Sequence, residues 1–283
     1  MNPSLKTRRL LPLFAVLLLA ATSARAVEIK ESFDRTLPLR SGASFALRNV
    51  NGGITLEAWN RDEVQIHAEK KVRAGSAEAA RKLMGQVKID VTQEGGGVRV
   101  ETKLPRRDNG FFDWLFGNQA SVNVTYKIRV PRQVAADVES VNGGVALTGT
   151  RGKARLATTN GGITVNDAEG DLRLGSTNGG IEVHRSAGTV RADTTNGGIS
   201  AELTDVSDGG ELRLTSTNGG IDVSLPRDVR ISIDAGTTNG RVHTDLPVEG
   251  GQSGKRSLKG DVNGGGTTLY IRTTNGGIDI NGQ

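Results

Sequence analysis

Cysteine is absent, which excludes disulfide scaffolds, cysteine-ligated zinc and a lipid anchor carried on cysteine. Aromatic residues make up only 4% of the 283 residues. No run of about 20 apolar residues follows the first 26 positions, so a membrane-spanning helix in the rest of the chain is excluded. A surplus of one charge sign is missing too. The formal charge of +5 shrinks once Lys6, Arg8, Arg9 and Arg25 are assigned to a removable leader, leaving 32 basic against 31 acidic side chains. That balance excludes a strongly basic nucleic-acid binder.

Residues 1–26 have the order of a secretory signal. Lys6, Arg8 and Arg9 form a positive start, Leu10 to Ala21 is an apolar stretch too short to span a bilayer, and Ala24-Arg25-Ala26 offers a small-x-small cleavage site. Cleavage is expected after Ala26, and the mature chain is expected in a periplasm or outside the cell. Without disulfides in an oxidising compartment, stability must come from packing and hydrogen bonds.

What the chain does have is repetition. Asn-Gly-Gly begins at Asn51, Asn142, Asn160, Asn178, Asn196, Asn218, Asn263 and Asn275, with a degenerate copy at Asn239. The steps from Asn142 to Asn239 are 18, 18, 18, 22 and 21 residues, and the 36 residues to Asn275 read as two steps of 18. Aligned on the asparagine, aliphatic columns appear three and five residues after it (Ile163 and Val165, Ile181 and Val183) and six and four before it (Leu172 and Leu174, Leu212 and Leu214). Spacing by two is the period of a strand with one buried face. Each unit therefore contributes two short strands with Asn-Gly-Gly as the corner. A sharp corner favours backbone angles open to Gly and Asn, and stacked units would let the corner amides hydrogen-bond in a ladder. Asn142, Asn160, Asn178, Asn196, Asn218 and Asn275 are thus expected to be structural corners. A meander of hairpins also uses Asn-Gly turns but needs no fixed period. The period favours an all-β parallel solenoid in which each coil covers its neighbour.

Three segments follow: the leader 1–26, irregular early coils over 27–135, and a regular solenoid of 18–22-residue repeats over 136–283. In the middle segment Ser76 reads as an N-cap, with Ala80, Leu83, Met84 and Val87 at helical spacing, predicting a helix over 76–87 that could cap the solenoid. A loop over 105–120 holds Phe111, Phe112, Trp114 and Phe116, four of the nine aromatic residues outside the leader. It either plugs the solenoid end or forms an apolar patch that meets a membrane surface or partner protein.

These features resemble the bacterial "putative adhesin" β-strand-repeat family, a domain of unknown function. The resemblance rests on the exported N-terminus, the helix Ser76 to Val87 after the first strands, the strand ending at Val130-Pro131 and the repeats from Asn142 to Asn275. It implies a right-handed parallel β-helix-like fold and a cell-envelope role, and supplies no catalytic residues.

His67, His184 and His243 read as solvated, with no catalytic spacing to carboxylates. The column Thr164, Glu182, Ser200, Asp222 and Asp279 is not a metal-ligand set, so neither metal nor cofactor is expected. Arg155, Arg173, Arg191 and Arg213 each lie five residues before a corner asparagine and should stack outward. With Lys153, Asp171, Thr189 and Glu211 beside them, the strip keeps a formal +3. It is a candidate docking strip for an extended anionic glycan. Ile278 and Ile280 fall in the last coil, whose open edge would invite end-to-end self-association. The expectation is an exported, non-catalytic envelope or surface interaction protein, an adhesin-like scaffold whose partner is an anionic envelope glycan or another envelope protein. The alternative is a carbohydrate-active β-solenoid enzyme acting on acidic polysaccharide.

Overall fold

The structure is a computed structural model that describes residues 26–105, 120–207 and 209–283. Residues 1–25 of the leader and the aromatic stretch Phe111, Phe112, Trp114 and Phe116 lie outside the described residues. The described chain is all-β and largely repetitive, with 22 strands and one helix.

Each repeat lays one strand before its corner and one after it. Strands of the first kind pair in parallel and in register from repeat to repeat: Ser44–Arg48 with Ala135–Asn142, then Arg151–Asn160, Glu169–Asn178, the second half of Ile181–Asn196, and Glu211–Asn218. Strands of the second kind do the same, from Ile54–Trp59 through Val145–Thr148 and Ile163–Asn166 to Ile199–Val206 and Ile221–Leu225. Two parallel walls result, and the aliphatic columns face each other between them. Ile163, Ile181 and Ile199 are register partners in a line, and all three are buried.

The corners are tied by two sets of side chains. Each corner amide donates its Nδ2 to the Oδ1 of the asparagine on the next level, from Asn142 to Asn51 at 2.8 Å and onward through Asn160, Asn178, Asn196 and Asn218. Two residues before the corners at Asn160, Asn178, Asn196 and Asn218, a buried hydroxyl donates to the first corner glycine of the level below: Thr158 to Gly143, Ser176 to Gly161, Thr194 to Gly179 and Ser216 to Gly197. Sequence position thus satisfies backbone carbonyls that would otherwise be left unpaired at a turn.

The corner geometry corrects one expectation. None of the stacked corner asparagines has a positive φ, and of their glycines only Gly52 does, at 119°. Gly is required because the next level passes so close. A methyl group on Gly179 would overlap the Gly161 carbonyl and lie 2.9 Å from the Gly162 nitrogen. The off-register copy at Asn263 behaves differently. There Asn263, Gly264 and Gly265 have φ of 52°, 82° and 76° in a tight turn, and Asn263 Nδ2 donates to the carbonyls of Arg227 and Val229.

The order of the levels corrects another. Thr267–Asn275 pairs in parallel with Glu211–Asn218 on one side and with Ile231–Asn239 on the other. Ile278–Gly282 likewise lies between Ile221–Leu225 and Val242–Thr244. The last repeat of the sequence is therefore threaded back between the two that precede it, and the 36 residues before it are not two successive steps. The amide ladder follows the spatial order, Asn218 to Asn275 to Asn239. Ile278 and Ile280 are fully buried with a strand on each side, so the open C-terminal coil proposed for self-association does not exist.

Antiparallel strands cover both walls at one end of the parallel stack and the first wall at the other. Beyond the Asn51 level, Gly97–Lys103 and Ser121–Pro131 add one more parallel strand to each wall. Lys88–Glu94 then runs antiparallel to the first and Glu63–Ala74 antiparallel to the second, and Val27–Pro38 covers Glu63–Ala74 by running antiparallel to it in turn. The helix Ala77–Gln86 packs on these strands through Ala80, Leu83 and Met84, with Ser76 Oγ capping the Ala79 nitrogen at 3.1 Å. It lies against Glu63–Ala74 and Val27–Pro38, beyond the Asn51 level. At the other end Ser257–Val262 runs antiparallel to Ile231–Gly236 and is covered by Val248–Gly254.

Candidate binding face

On the first wall the residues between the buried columns point outward. Arg155, Arg173, Arg191 and Arg213 are register partners on four adjacent levels, as the repeat predicts. The same row continues into Tyr270 and then Asp234, because the Asn275 level is inserted there, and on the other side it passes through Asp137 and Ala46 to Arg99. Tyr270 is sandwiched between two guanidiniums, with the carbons of Arg213 and Arg272 at 4.5 and 4.4 Å from the ring centre. Sequence alignment alone could not place Tyr270 beside Arg213, since 57 residues separate them.

Like charges 4.8 Å apart on neighbouring strands repel unless each finds a carboxylate. Arg155 donates to Asp137 at 3.3 Å and also to Glu139, which Arg48 shares. Arg173 reaches Asp171 and Arg191 reaches Glu211, both at 3.4 Å. Asp193 lies two residues after Arg191 on the same face. Charge along this face is thus more nearly balanced than the +3 read from one neighbouring column, because Asp137, Glu139 and Asp193 join it. Arg155 and Arg173 nevertheless keep more than half of their side-chain surface exposed, at 55% and 59%. A guanidinium has five N–H donors, and one or two carboxylate contacts leave several for a ligand.

Three residues before the corner the side chains are Ala157 and Gly175 on two successive levels, between Glu139 and Asp193. Their small size opens a groove of about 220 Å³ lined by Arg155, Arg173, Arg191, Ala157, Gly175 and Asp193. Gly175 has nothing within 4 Å of its missing side chain.

The second wall carries a different row. Insertion of the last repeat aligns Ser200, Asp222, Asp279 and His243 on adjacent levels. Asp222 and Asp279 share a column in the sequence, and the inserted level makes them direct register partners with His243 beyond. Partial burial and the Asp279 charge push the Asp222 carboxyl above the ordinary carboxylate range. The folded state therefore holds this proton more tightly than the unfolded chain does. Its ionised form costs stability at neutral pH, and the cost vanishes as pH falls below the unfolded value. Asp222→Asn is expected to raise the melting temperature at neutral pH and to leave it unchanged near pH 3. An equal shift at both pH values in thermal melts would contradict this. The remaining histidines sit in local pairs: His67 with Asp34 at 2.7 Å, and His184 with Glu182 and Glu202 at 3.6 and 3.9 Å. Among the described residues no group of three or more His, Asp or Glu side chains could hold a metal ion, and no helix is long and apolar enough to cross a membrane.

The fold and its outward rows define a β-strand-repeat protein whose charged face is built by register rather than by a pocket. Residues 132–281 match the Toastrack DUF4097 family, and the chain belongs to it. Among solved structures, a "putative adhesin" from Parabacteroides merdae is similar at 10% identity and a TM-score of 0.40, over 88% of this chain and 96% of that one. A "putative adhesin" from Bacteroides fragilis matches at 10% identity and 0.39, over 88% and 97%. A "putative lipid binding protein" from Parabacteroides distasonis matches at 12% identity and 0.31, over 88% and 96%. No curated protein matches the chain.

Proposed function

We propose that the chain is exported, loses residues 1–26, and serves in the periplasm or outside the cell as a non-catalytic scaffold, wound as a right-handed solenoid, whose first wall binds an extended anionic glycan. The observation that carries this reading is the register of Arg155, Arg173, Arg191 and Arg213 on consecutive levels beside the Ala157–Gly175 groove. A polymer laid along the stack meets a guanidinium at every level, about 4.8 Å apart. The carboxylates already paired with three of these arginines hold them in place, so less side-chain entropy is lost on binding. An alternative catalytic use would need acids and bases converging on one groove. Here Asp222, Asp279 and His243 stand on the other wall from the arginines.

The test uses residues 27–283 titrated with acidic polysaccharides at low and high salt. Arg173→Glu combined with Arg191→Glu is expected to weaken binding about tenfold or more, consistent with loss of two charge-assisted contacts. Binding of the wild-type chain should fall as salt rises. Undiminished, salt-insensitive binding by a double variant that melts like the wild type would remove the strip from consideration.

A further inference from the structure

The end of the same wall carries a second, differently built feature. The cap strand Ser257–Val262 lies antiparallel to Ile231–Gly236, setting Ser257 opposite Gly236 and Lys259 opposite Asp234. The threaded strand Thr267–Asn275 flanks Gly236 from the other side and sets Arg272 beside it. Three segments distant in sequence thus bring Arg256, Lys259 and Arg272 around a glycine that offers no side chain. The hollow is about 390 Å³ and is also lined by Thr237, Thr238, Ser257 and Thr273.

Its charge is unbalanced. Asp234 is the one carboxylate in the lining, against three cations. It is already engaged by Arg272 at 2.7 Å and Lys259 at 3.4 Å, and those two cations hold its carboxyl below the usual range despite partial burial. Arg256 donates to the Thr238 carbonyl at 3.2 Å and forms no ion pair among the described residues. Lys259 is 62% exposed and free to swing toward a better anion.

We propose that this hollow binds a tetrahedral oxyanion, a phosphate or sulfate group. Guanidinium and ammonium donors converging with the Thr238 and Ser257 hydroxyls match the acceptor oxygens of such a group, while the Thr237 and Thr273 hydroxyls are already spent on the Gly276 and Gly219 carbonyls. The surplus positive charge favours a dianion or an ester monoanion over a neutral polyol. Arg272 also stacks on Tyr270, which continues the arginine row, so an anionic group seated here would lie at one end of that row. None of Arg155, Arg173, Arg191 and Arg213 lines the hollow, so this site does not depend on the glycan reading.

Calorimetric titration of residues 27–283 with inorganic phosphate, inorganic sulfate and a sulfated glycan tests it. Arg256→Ala combined with Lys259→Ala changes exposed side chains of the cap strand and of the turn before it, and should fold normally by circular dichroism. It is expected to weaken oxyanion binding about tenfold or more, while Arg173→Glu with Arg191→Glu leaves inorganic phosphate binding unchanged. Tighter binding of the glycan than of free sulfate, lost in the Arg256/Lys259 variant, assigns the group to a glycan. Equal binding assigns it to the free ion. Failure of the wild-type chain to bind any of the three, or full retention by the Arg256/Lys259 variant, overturns the proposal.

Discussion

Ile278→Lys is expected to abolish cooperative folding rather than fray one end. Its side chain is fully buried, with Ile221 as register partner on one side and Val242 on the other. Truncating a buried isoleucine to alanine already costs about 2–5 kcal/mol, and a buried unpaired ammonium adds several more. Total stability of a domain is about 5–15 kcal/mol, so one such change consumes most of it. The effect is non-local. Loss of the threaded strands exposes the backbone edges of Glu211–Asn218 and Ile231–Asn239 together, and the Asn239 level loses its parallel neighbour. Urea unfolding followed by far-ultraviolet circular dichroism should show no folded baseline for this variant. Ile278→Val should retain a sharp transition at a slightly lower midpoint. A Lys variant with a wild-type midpoint would mean that the last repeat sits at an edge.

The second large effect separates two adjacent glycines. Gly179→Ala forces a methyl group onto the Gly161 carbonyl and to within 2.9 Å of the Gly162 nitrogen, where only backbone is available to yield. Backbone cannot give way on one level without dragging the hydrogen bonds of its neighbours, so the cost is expected at or above the 1–3 kcal/mol usual for overpacking. Gly180→Ala places its methyl 3.4 Å from the Gly198 carbonyl, which is close but tolerable. Its expected cost is below about 1 kcal/mol, and stiffening of the unfolded chain offsets part of that. Thermal melts of the two variants side by side decide the matter. Equal losses would point to backbone conformation, not to the distance between levels, as the reason for glycine.

Much of this architecture was legible because local patterning and tertiary packing agree. The period-two aliphatic columns around each corner predict the two walls, and equal spacing predicts that Ile163, Ile181 and Ile199 meet. Ser76 and the residues behind it predict a helix that the structure places over Ala77–Gln86. Legibility ends where several arrangements satisfy the same local rules. The repeats at Asn218, Asn239 and Asn275 carry nearly the same columns, so any could neighbour any other. Their order is set by the connections over 226–230 and 245–266, which carry no periodic signal. Strand polarity at the ends was hidden for a similar reason, because parallel and antiparallel strands share a period of two. Glycine at the corner was recognised but explained by its torsional freedom, since the distance to the next level cannot be read from one repeat. The arginine row was visible, whereas its balancing carboxylates and Tyr270 depend on which levels are adjacent.

The reversed strands at the two ends bear on how such a chain avoids becoming a fibre. In-register parallel stacking of near-identical units is also the arrangement by which amyloid recruits fresh molecules, each layer templating the next. Here an incoming copy would meet Val27–Pro38 at one end of the second wall, a strand bearing Glu28, Lys30, Glu31, Asp34 and Arg35 and set apart from the repeats by the reversed strand Glu63–Ala74. At the far end of the first wall it would meet Val248–Gly254, rich in glycine and outside the repeat pattern. Neither offers the Asn-Gly-Gly template, so neither edge can seed the addition of further repeats.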